Sequence, residues 1–305
     1  MKVLYIAGWG RSGTTILDNI LGSYDSVFST GELFYLWRRG LNQGQRCGCG
    51  SKLPRCPTWQ KILDVAYADD ELNPKRTAAV QRRSVRVRHT RRLSRPNLLG
   101  EAAEYRNEIG RLYAAIGAVT GAKLIVDSSK VPPGAAVLAQ VPGVDSYLLH
   151  MVRDPRAVAY SWVRPKPQVN GTAALAMKPH SATESTASWV GWNMLIEQLT
   201  GTSFAGRSQR LRYEDFVADP RNTVESLLES TGTSWSAGPF QDVATVQLPA
   251  NHTVSGNPSR FKTGRVVLRA DDDWRSDQPW SPRVVSTAIS LPLLRRYGYP
   301  LLSSN

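Results

Sequence analysis

A strand, loop and helix at the start of the chain constrain its fold more than any other feature. Residues 1–8 read MKVLYIAG, a short apolar run rich in strand formers. The segment GWGRSGTT covers residues 8–15, and residues 16–22 then place apolar side chains at helical spacing and end on a glycine. Glycines let several backbone N–H groups point into one concavity, and the helix N-terminus adds partial positive charge. The unit predicts a loop that binds a phosphate-like anion, although an ordinary strand–turn–helix start would have the same outline.

The loop has the spacing of the Walker A motif, G-x-x-x-x-G-K-[ST], with one departure. Thr14 stands where that motif has the lysine that reaches the β- and γ-phosphates of a nucleoside triphosphate. This substitution argues against hydrolysis of ATP or GTP. Arg11, two residues before Gly13, offers a positive charge to an anion instead.

The chain of 305 residues is basic, with a formal net charge of +13. Such a charge suits nucleic acid, membrane surfaces or small polyanions. Arginine greatly outnumbers lysine, which fits bidentate contacts to phosphate or sulfate but also fits genomic bias. No apolar run approaches the roughly 20 residues of a membrane helix, and no signal peptide is apparent. We therefore expect a cytoplasmic protein without a membrane span.

Further apolar runs along the chain predict the strands of a parallel sheet, because each is followed by polar residues and a helix. The carboxyl ends of parallel strands meet at one edge of a sheet, where ligands bind. We expect an α/β fold with a parallel sheet core flanked by helices, a P-loop at its carboxyl edge, and one domain over residues 1–305. The predicted strands after the first are a short one opening residues 26–37, then 123–127, 146–152 and 209–213.

Helices and loops fill the remaining segments. Residues 164–187 and 231–250 lack clear periodicity, so we predict a loop over the site and an irregular segment, respectively. The dense run of arginines from Arg82 to Arg95 is interpreted as a solvated helix face or the rim of an anionic site, since no nucleic-acid module accompanies it. The predicted helices cover most of 61–120, then 135–141, a segment from about 157, 188–200, 220–230, and 280–297.

Three cysteines, Cys47, Cys49 and Cys56, lie in one segment with the spacing C-x-C-x6-C. A structural zinc ion needs four ligands, and the histidine nearest in sequence is His89. We therefore expect reduced structural thiols and no metal.

Four motifs in order give the chain a resemblance to the sulfotransferases that use 3′-phosphoadenosine 5′-phosphosulfate (PAPS). Residues 10–15 resemble their 5′-phosphosulfate loop, and residues 153–161 resemble their 3′-phosphate motif. Residues 211–215 look like the strand of that family that ends in R-Y-E-D, and residues 256–264 resemble its C-terminal nucleotide loop. The Cys47 to Trp59 segment is also similar to one in several bacterial members.

The resemblance implies transfer of a sulfuryl group from PAPS to an acceptor, with adenosine 3′,5′-bisphosphate (PAP) as the other product and no metal required. It also explains the missing Walker lysine, since no γ-phosphate needs a contact. The residues that it assigns to the nucleotide are Arg11, Ser12, Gly13, Thr14, Thr15, Arg153, Ser161, Tyr213, Asn257, Arg260, Lys262 and Gly264.

The sequence differs from one branch of the family at the position of the general base. Many cytosolic members use the histidine of a K-T-H-x-P segment, but residues 128–132 read SSKVP, with Lys130 at the position of the histidine. The pair Gly31-Glu32 instead looks like the Gly-Glu of tyrosylprotein sulfotransferases, where the glutamate is the base. We assign Glu32 as base, Lys130 as the cation near the leaving oxygen and Arg11 as a further catalytic group. His252 remains a second candidate base, although a cofactor contact is the expected role.

The expected function is sulfation of a hydroxyl or amine on a small molecule, carbohydrate or lipid. The alternatives are a P-loop kinase or NTPase acting on a small molecule, and a basic protein that binds nucleic acid or a membrane surface. The four motifs favour the sulfotransferase, so no nucleic-acid partner is expected. The motifs name neither the acceptor nor the oligomeric state.

Overall fold

A five-stranded parallel sheet forms the centre of the computed structural model, which describes residues 1–68, 70–164 and 179–301. The strand order is β2-β3-β1-β4-β5, and every neighbouring pair is parallel. The expected α/β fold with a parallel core is therefore confirmed. The strands are β1 (Lys2–Ala7), β2 (Val27–Gly31), β3 (Leu124–Lys130), β4 (Asp145–Val152) and β5 (Ser208–Arg212).

The central strand β1 shows why the sheet needs helices on both faces. Successive side chains of a strand point to opposite faces. Val3 and Tyr5 belong to one apolar core, whereas Leu4 and Ile6 belong to another, and all four are almost fully buried. A strand that is apolar on both faces has to be covered on both faces, as in other parallel sheets.

Helices cover the two faces of the sheet. Five of them, those that start at residues 57, 74, 132, 155 and 220, begin with proline, whose fixed φ suits the first helical position. Short 3₁₀ turns and a π-helix, Leu36–Asn42, join other elements. The helices are α1 (Thr14–Leu21), α2 (Pro57–Ala66), α3 (Pro74–Ser84), α4 (Thr90–Leu93), α5 (Gly100–Thr120), α6 (Pro132–Leu138), α7 (Pro155–Val163), α8 (Ala182–Gly201), α9 (Tyr213–Ala218), α10 (Pro220–Ser230), α11 (Trp274–Asp277) and α12 (Trp280–Arg296).

Two segments differ from the prediction. Helix α8 begins at Ala182, inside the expected loop, because Ser181 and Glu184 form a capping box that starts it. The segment predicted to be irregular contains β6 (Thr245–Leu248), which pairs antiparallel with β7 (Gly264–Val267). The part of the predicted loop at 165–178 lies outside the described residues. Among the helices of the described segments, none is long and apolar enough to cross a membrane.

The arginine run from residue 82 to 95 begins on α3, continues through the turn before α4 and along α4, and ends at Arg95 just after that helix. Its members are mostly exposed and make surface contacts. Arg83 pairs with Glu101 of α5 at 2.5 Å, and Arg91 donates to Gln198 of α8. These contacts fit the interpretation of the run as a solvated face.

The carboxyl ends of all five strands lie along one edge of the sheet, because the strands are parallel. Gly8 follows β1, Glu32 follows β2, and Lys130 ends β3. Arg153 follows β4, and Tyr213 follows β5. The parallel sheet thus gathers these five residues at one edge, although they are far apart in sequence.

Candidate active site

The glycine loop between β1 and α1 has a backbone that only certain residues tolerate. Gly13 has a φ of +82° and Arg11 a φ of +71°, both in the left-handed region. A Cβ at Gly13 would overlap the ring of Tyr213, and a Cβ at Gly8 would overlap the backbone carbonyl of Met151. The loop therefore approaches the ends of β4 and β5 closely, and its glycines are required by both conformation and space.

Two arginines beside this loop have buried donors without acceptors. Arg153 is only 5% exposed. Its Nη1 donates to the backbone carbonyl of Arg11 (3.2 Å), and its Nη2 donates to the carbonyl (2.8 Å) of Asp271 and pairs with its carboxylate (3.1 Å). The Nε of Arg153 and the Nε and Nη1 of Arg11 are buried, yet no hydrogen-bond partner for them exists among the described residues. Buried cationic donors left unpaired are costly, so an acceptor with negative charge fits here.

Aromatic rings support both guanidinium groups. Arg153 lies over the ring of Tyr213, with 4.4 Å between its Cζ and the ring centroid. Arg11 lies over Trp162 of α7 at 4.9 Å, and burial lowers the pKa of its guanidinium. The aromatic contacts fix the planes of these cations without consuming their N–H donors.

A glutamate and a lysine face each other next to the loop. Lys130 Nζ donates to Glu32 Oε1 in a partly buried ion pair. Arg39 Nη1 lies 3.8 Å from the second oxygen of Glu32. The backbone carbonyl of Lys130 accepts a hydrogen bond from Gly8 N (3.3 Å), so this pair is tied to the start of the glycine loop. The structure thus brings Glu32 and Lys130 together, as the assignment of a base and a neighbouring cation requires.

The other loop residues occupy different positions. The Ser12 hydroxyl donates to the Trp9 carbonyl (2.8 Å) and is therefore engaged within the loop. Thr14 is buried and Thr15 half-buried at the first turn of α1, and Ser161 is half-buried in the last turn of α7.

The C-terminal segment resembling a nucleotide loop is held both by contacts within itself and by contacts to neighbouring loops. Asn257 Oδ1 accepts from Ser259 N (3.1 Å) and caps the 3₁₀ turn Pro258–Phe261, which packs against α1. Arg260 is buried, and its guanidinium donates to the carbonyls of Thr253 (2.7 Å) and Arg46 (2.5 Å). Burial lowers the pKa of Arg260 to about 10. Arg260 therefore joins two loops in this structure, whereas Lys262 is exposed and Gly264 begins β7.

His252 lies against the three cysteines, and the expectation that they lack a nearby histidine is wrong. Its Nδ1 is 3.3 Å from Cys56 Sγ and 3.8 Å from Cys47 Sγ. Its Nε2 is 3.2 Å from Thr58 Oγ1. Both ring nitrogens of His252 face the segment that contains the cysteines and Thr58, so neither is directed elsewhere to act as a base. Sequence separation hid the contact, because Cys56 and His252 are 196 positions apart.

Two buried aspartates beside the site were missed in the sequence. Asp18 of α1 and Asp127 of β3 are both almost fully buried. Burial raises the pKa of Asp18 to about 7, and hydrogen bonding to Ser29 and the charge of Lys130 limit the rise. Burial likewise raises the pKa of Asp127 to about 6, against hydrogen bonds from Ser129 and Tyr113. An acidic residue within an apolar run was the only signal available, and by itself it does not show burial.

Fold and site together define an α/β protein in which a glycine loop, two arginines with unsatisfied N–H donors and a glutamate–lysine ion pair lie at the carboxyl edge of a parallel sheet. A family model described as the Sulfotransferase family matches residues 4–237. The chain therefore belongs to the sulfotransferase family, and the resemblance found in its motifs is confirmed.

Solved structures show the same fold. The sulfotransferase domain from the curacin biosynthetic pathway is 17% identical, with a TM-score of 0.56 over 98% of this chain and 99% of that one. The sulfotransferase domain of the Synechococcus PCC 7002 olefin synthase is also 17% identical, with a TM-score of 0.53 over 98% of this chain and 96% of that one. A comparison with curated proteins gives no match.

Proposed function

We propose that this chain transfers the sulfuryl group of PAPS to a hydroxyl or amine of a small-molecule, carbohydrate or lipid acceptor. The unpaired buried donors of Arg11 and Arg153 beside the glycine loop carry the proposal, because they call for a multiply charged anionic ligand. Membership in the sulfotransferase family identifies the transferred group. In this proposal residues 1–305 act as one sulfotransferase domain in the cytoplasm, and sulfuryl transfer itself uses no metal.

The donor would span the sheet edge from the glycine loop to the end of β4. Backbone N–H groups at residues 13–15, with the hydroxyls of Thr14 and Thr15 and the guanidinium of Arg11, would hold the 5′-phosphosulfate at the N-terminus of α1. Arg153 and Ser161 would hold the 3′-phosphate. The family resemblance assigns further nucleotide contacts to Tyr213, Asn257, Arg260, Lys262 and Gly264.

Chemistry would proceed by in-line attack of the acceptor oxygen or nitrogen on sulfur. A new bond to sulfur forms as the bond from sulfur to the bridging phosphate oxygen breaks, and PAP leaves with that electron pair. Glu32 would take the proton of the acceptor, and Lys130 would stabilise charge on the leaving oxygen. The Lys130–Glu32 contact supports this division of roles, since it places the proposed base and the proposed cation side by side. As in phosphoryl transfer, donors fixed where charge develops supply much of the stabilisation.

Thermal unfolding with added nucleotides tests the donor. PAP at about 100 times its Kd should stabilise the protein by roughly 2.7 kcal/mol, whereas AMP, which lacks the 3′-phosphate, should stabilise it less. Stabilisation by ATP with Mg²⁺ but not by PAP would reject the proposal in favour of a P-loop kinase.

The Glu32→Gln variant tests the base once an acceptor has been found by screening with PAPS. We expect kcat to fall roughly 10²- to 10⁴-fold because the proton acceptor is lost, with PAP affinity retained because the residues assigned to the nucleotide are unchanged. Glu71→Gln, on an exposed residue, is the matched control and should keep the parent rate. A Glu32→Gln enzyme within a few-fold of the parent would show that another group removes the proton.

A further inference from the structure

Four side chains that bind transition metals meet next to the segment that precedes the nucleotide-loop motif. Cys47, Cys49, Cys56 and His252 each offer one ligand atom, and these atoms all lie within 4.8 Å of one another. We call this group the Cys3His cluster. Cys47 and Cys56 are fully buried, and the other two members are half-buried, so the position between them is largely closed to solvent.

The spacing of the cluster fits a tetrahedral zinc ion. With Zn–S bonds of about 2.3 Å and Zn–N bonds of about 2.0–2.1 Å, the edges of the tetrahedron are about 3.8 Å between sulfurs and about 3.6 Å between sulfur and nitrogen. The Sγ atoms of Cys49 and Cys56 are 3.7 Å apart. His252 Nδ1 is 3.8 Å from Cys47 Sγ and 3.3 Å from Cys56 Sγ. The ligand atoms therefore already stand near the distances that a bound ion would impose.

Neighbouring groups hold the His252 imidazole in the way that is usual for a histidine bound to zinc. A histidine that binds a metal through one nitrogen generally donates the other N–H to a fixed acceptor. Nε2 of His252 is 3.2 Å from Thr58 Oγ1, which can accept that hydrogen bond when Nδ1 binds the ion. The backbone of His252 is fixed as well, since its carbonyl accepts from Trp59 Nε1 (2.6 Å).

Charge also balances around the cluster. Three thiolates, a neutral imidazole and Zn²⁺ sum to one negative charge. The buried guanidinium of Arg260 donates to the carbonyls of Arg46, which precedes Cys47, and Thr253, which follows His252. A positive charge thus stands beside both loops, where it offsets the net charge of the complex.

We propose that Cys47, Cys49, Cys56 and His252 bind one structural Zn²⁺ ion. Binding would displace the three thiol protons to solvent and leave no open coordination position, so the ion would stabilise the fold and take no part in catalysis. Its role would be to fasten the segment around residue 252 to the loop at 46–58. That attachment also reaches the sheet edge, because Val254 N donates to the Thr30 carbonyl (2.8 Å), two residues before Glu32.

Metal content of the full chain, purified without chelator, tests the proposal directly. We expect about one zinc per chain by elemental analysis and a thiolate-to-metal charge-transfer band with intense d–d bands after cobalt exchange, as tetrahedral sulfur coordination requires. His252→Asn should lose most of the metal, whereas His252→Cys should keep it because a thiolate replaces the imidazole. His89→Asn, on a histidine hydrogen-bonded to the Ser84 carbonyl, is the matched control and should bind as the parent does.

Measurements on the parent protein keep the test decisive if a variant fails to fold. A strong zinc chelator should lower the melting temperature of the parent, and added zinc should restore it. Protein with less than about a tenth of a zinc per chain, no uptake of cobalt and three titratable thiols would overturn the proposal. A single titratable thiol without metal would overturn it too, since two of the three cysteines would then be joined in a disulfide.

Discussion

The buried carboxyl of Asp18 should make the stability of the protein fall as the pH rises. Asp18 lies in α1 under the glycine loop, is 2% exposed, and has one carboxyl oxygen without a hydrogen-bond partner among the described residues. Burial raises its pKa from 3.8 to about 7. The folded protein therefore holds this proton at pH values where the unfolded chain has released it. Proton binding by Asp18 stabilises the fold fully below pH 3.8, and this stabilisation is lost as the pH rises to about 7.

The size of the effect follows from the two pKa values. The difference between 3.8 and about 7 corresponds to roughly 4 kcal/mol in the free energy of unfolding, at 1.36 kcal/mol per pKa unit. Roughly 2–3 kcal/mol of this falls between pH 5 and pH 8, since the unfolded carboxyl is already mostly ionised at pH 5. Asp18→Asn replaces the carboxyl by a neutral group of the same shape, so its advantage over the parent should grow by about that amount across this range.

Urea unfolding of parent and variant at pH 5, 6, 7 and 8 measures this difference directly. Other titrating groups affect both proteins alike and cancel in the comparison. Asp64→Asn, on an exposed residue of α2, is the control for the substitution itself. If the difference between Asp18→Asn and parent stays constant within about 0.5 kcal/mol from pH 5 to 8, or shrinks as the pH rises, the proposed cost of burying this carboxylate is refuted.

Three further substitutions have expected outcomes. Arg153→Gln should weaken PAP binding about 10- to 150-fold in calorimetry and AMP binding much less, since one charge-assisted hydrogen bond contributes about 1.5–3 kcal/mol; equal losses for both nucleotides would refute a 3′-phosphate contact. Gly13→Ala should destabilise the protein by about 2 kcal/mol or more in urea, because of its positive φ and overlap with Tyr213; an unchanged midpoint would contradict this. Burial lowers the pKa of His150 to about 4, below its usual 6.5, so the free energy of unfolding of the parent should fall as the pH drops from 6.5 towards 4. His150→Gln should remove this contribution to the pH dependence of stability. A variant whose unfolding free energy changes with pH as steeply as that of the parent would refute the assignment to His150.

The parallel sheet was predictable because its three central strands, β3, β1 and β4, contain short apolar runs, and helical patterns follow them. Such runs have to be buried on both faces, and that requirement leaves few arrangements besides an α/β fold. The hairpin of β6 and β7 was not predictable in the same way. Its strands have only four residues each and pair across a gap that includes the nucleotide-loop motif. A strand of that length carries too few alternating positions to be distinguished from a loop.

The residues of the candidate site also fall into those that the sequence predicts and those that it does not. Residues that follow strands, such as Glu32, Lys130 and Arg153, were predictable because strand order alone brings them to one edge. The contact of His252 with the cysteines depends on how two long loops fold over each other, for which the sequence offers no periodic signal. The same holds for Arg260, assigned to the nucleotide by resemblance, whose guanidinium the structure directs to two backbone carbonyls.

Packing at Gly31 links the proposed base, Glu32, to the segment that leads into the nucleotide-loop motif. Gly31 has a φ of +67°, and a Cβ there would come within 2.6 Å of Thr253 Cβ, so only glycine lets this segment pack against the end of β2. The Val254 hydrogen bond to Thr30 fixes the same contact, and a Cβ at Gly256 would stand 3.6 Å from Glu32 Oε1. The carboxylate of Glu32 is thus placed from two sides, by the sheet and by the segment that the proposed zinc ion would fasten. A displacement of that segment should therefore lower the rate through the position of Glu32, even where the sheet and the glycine loop stay intact.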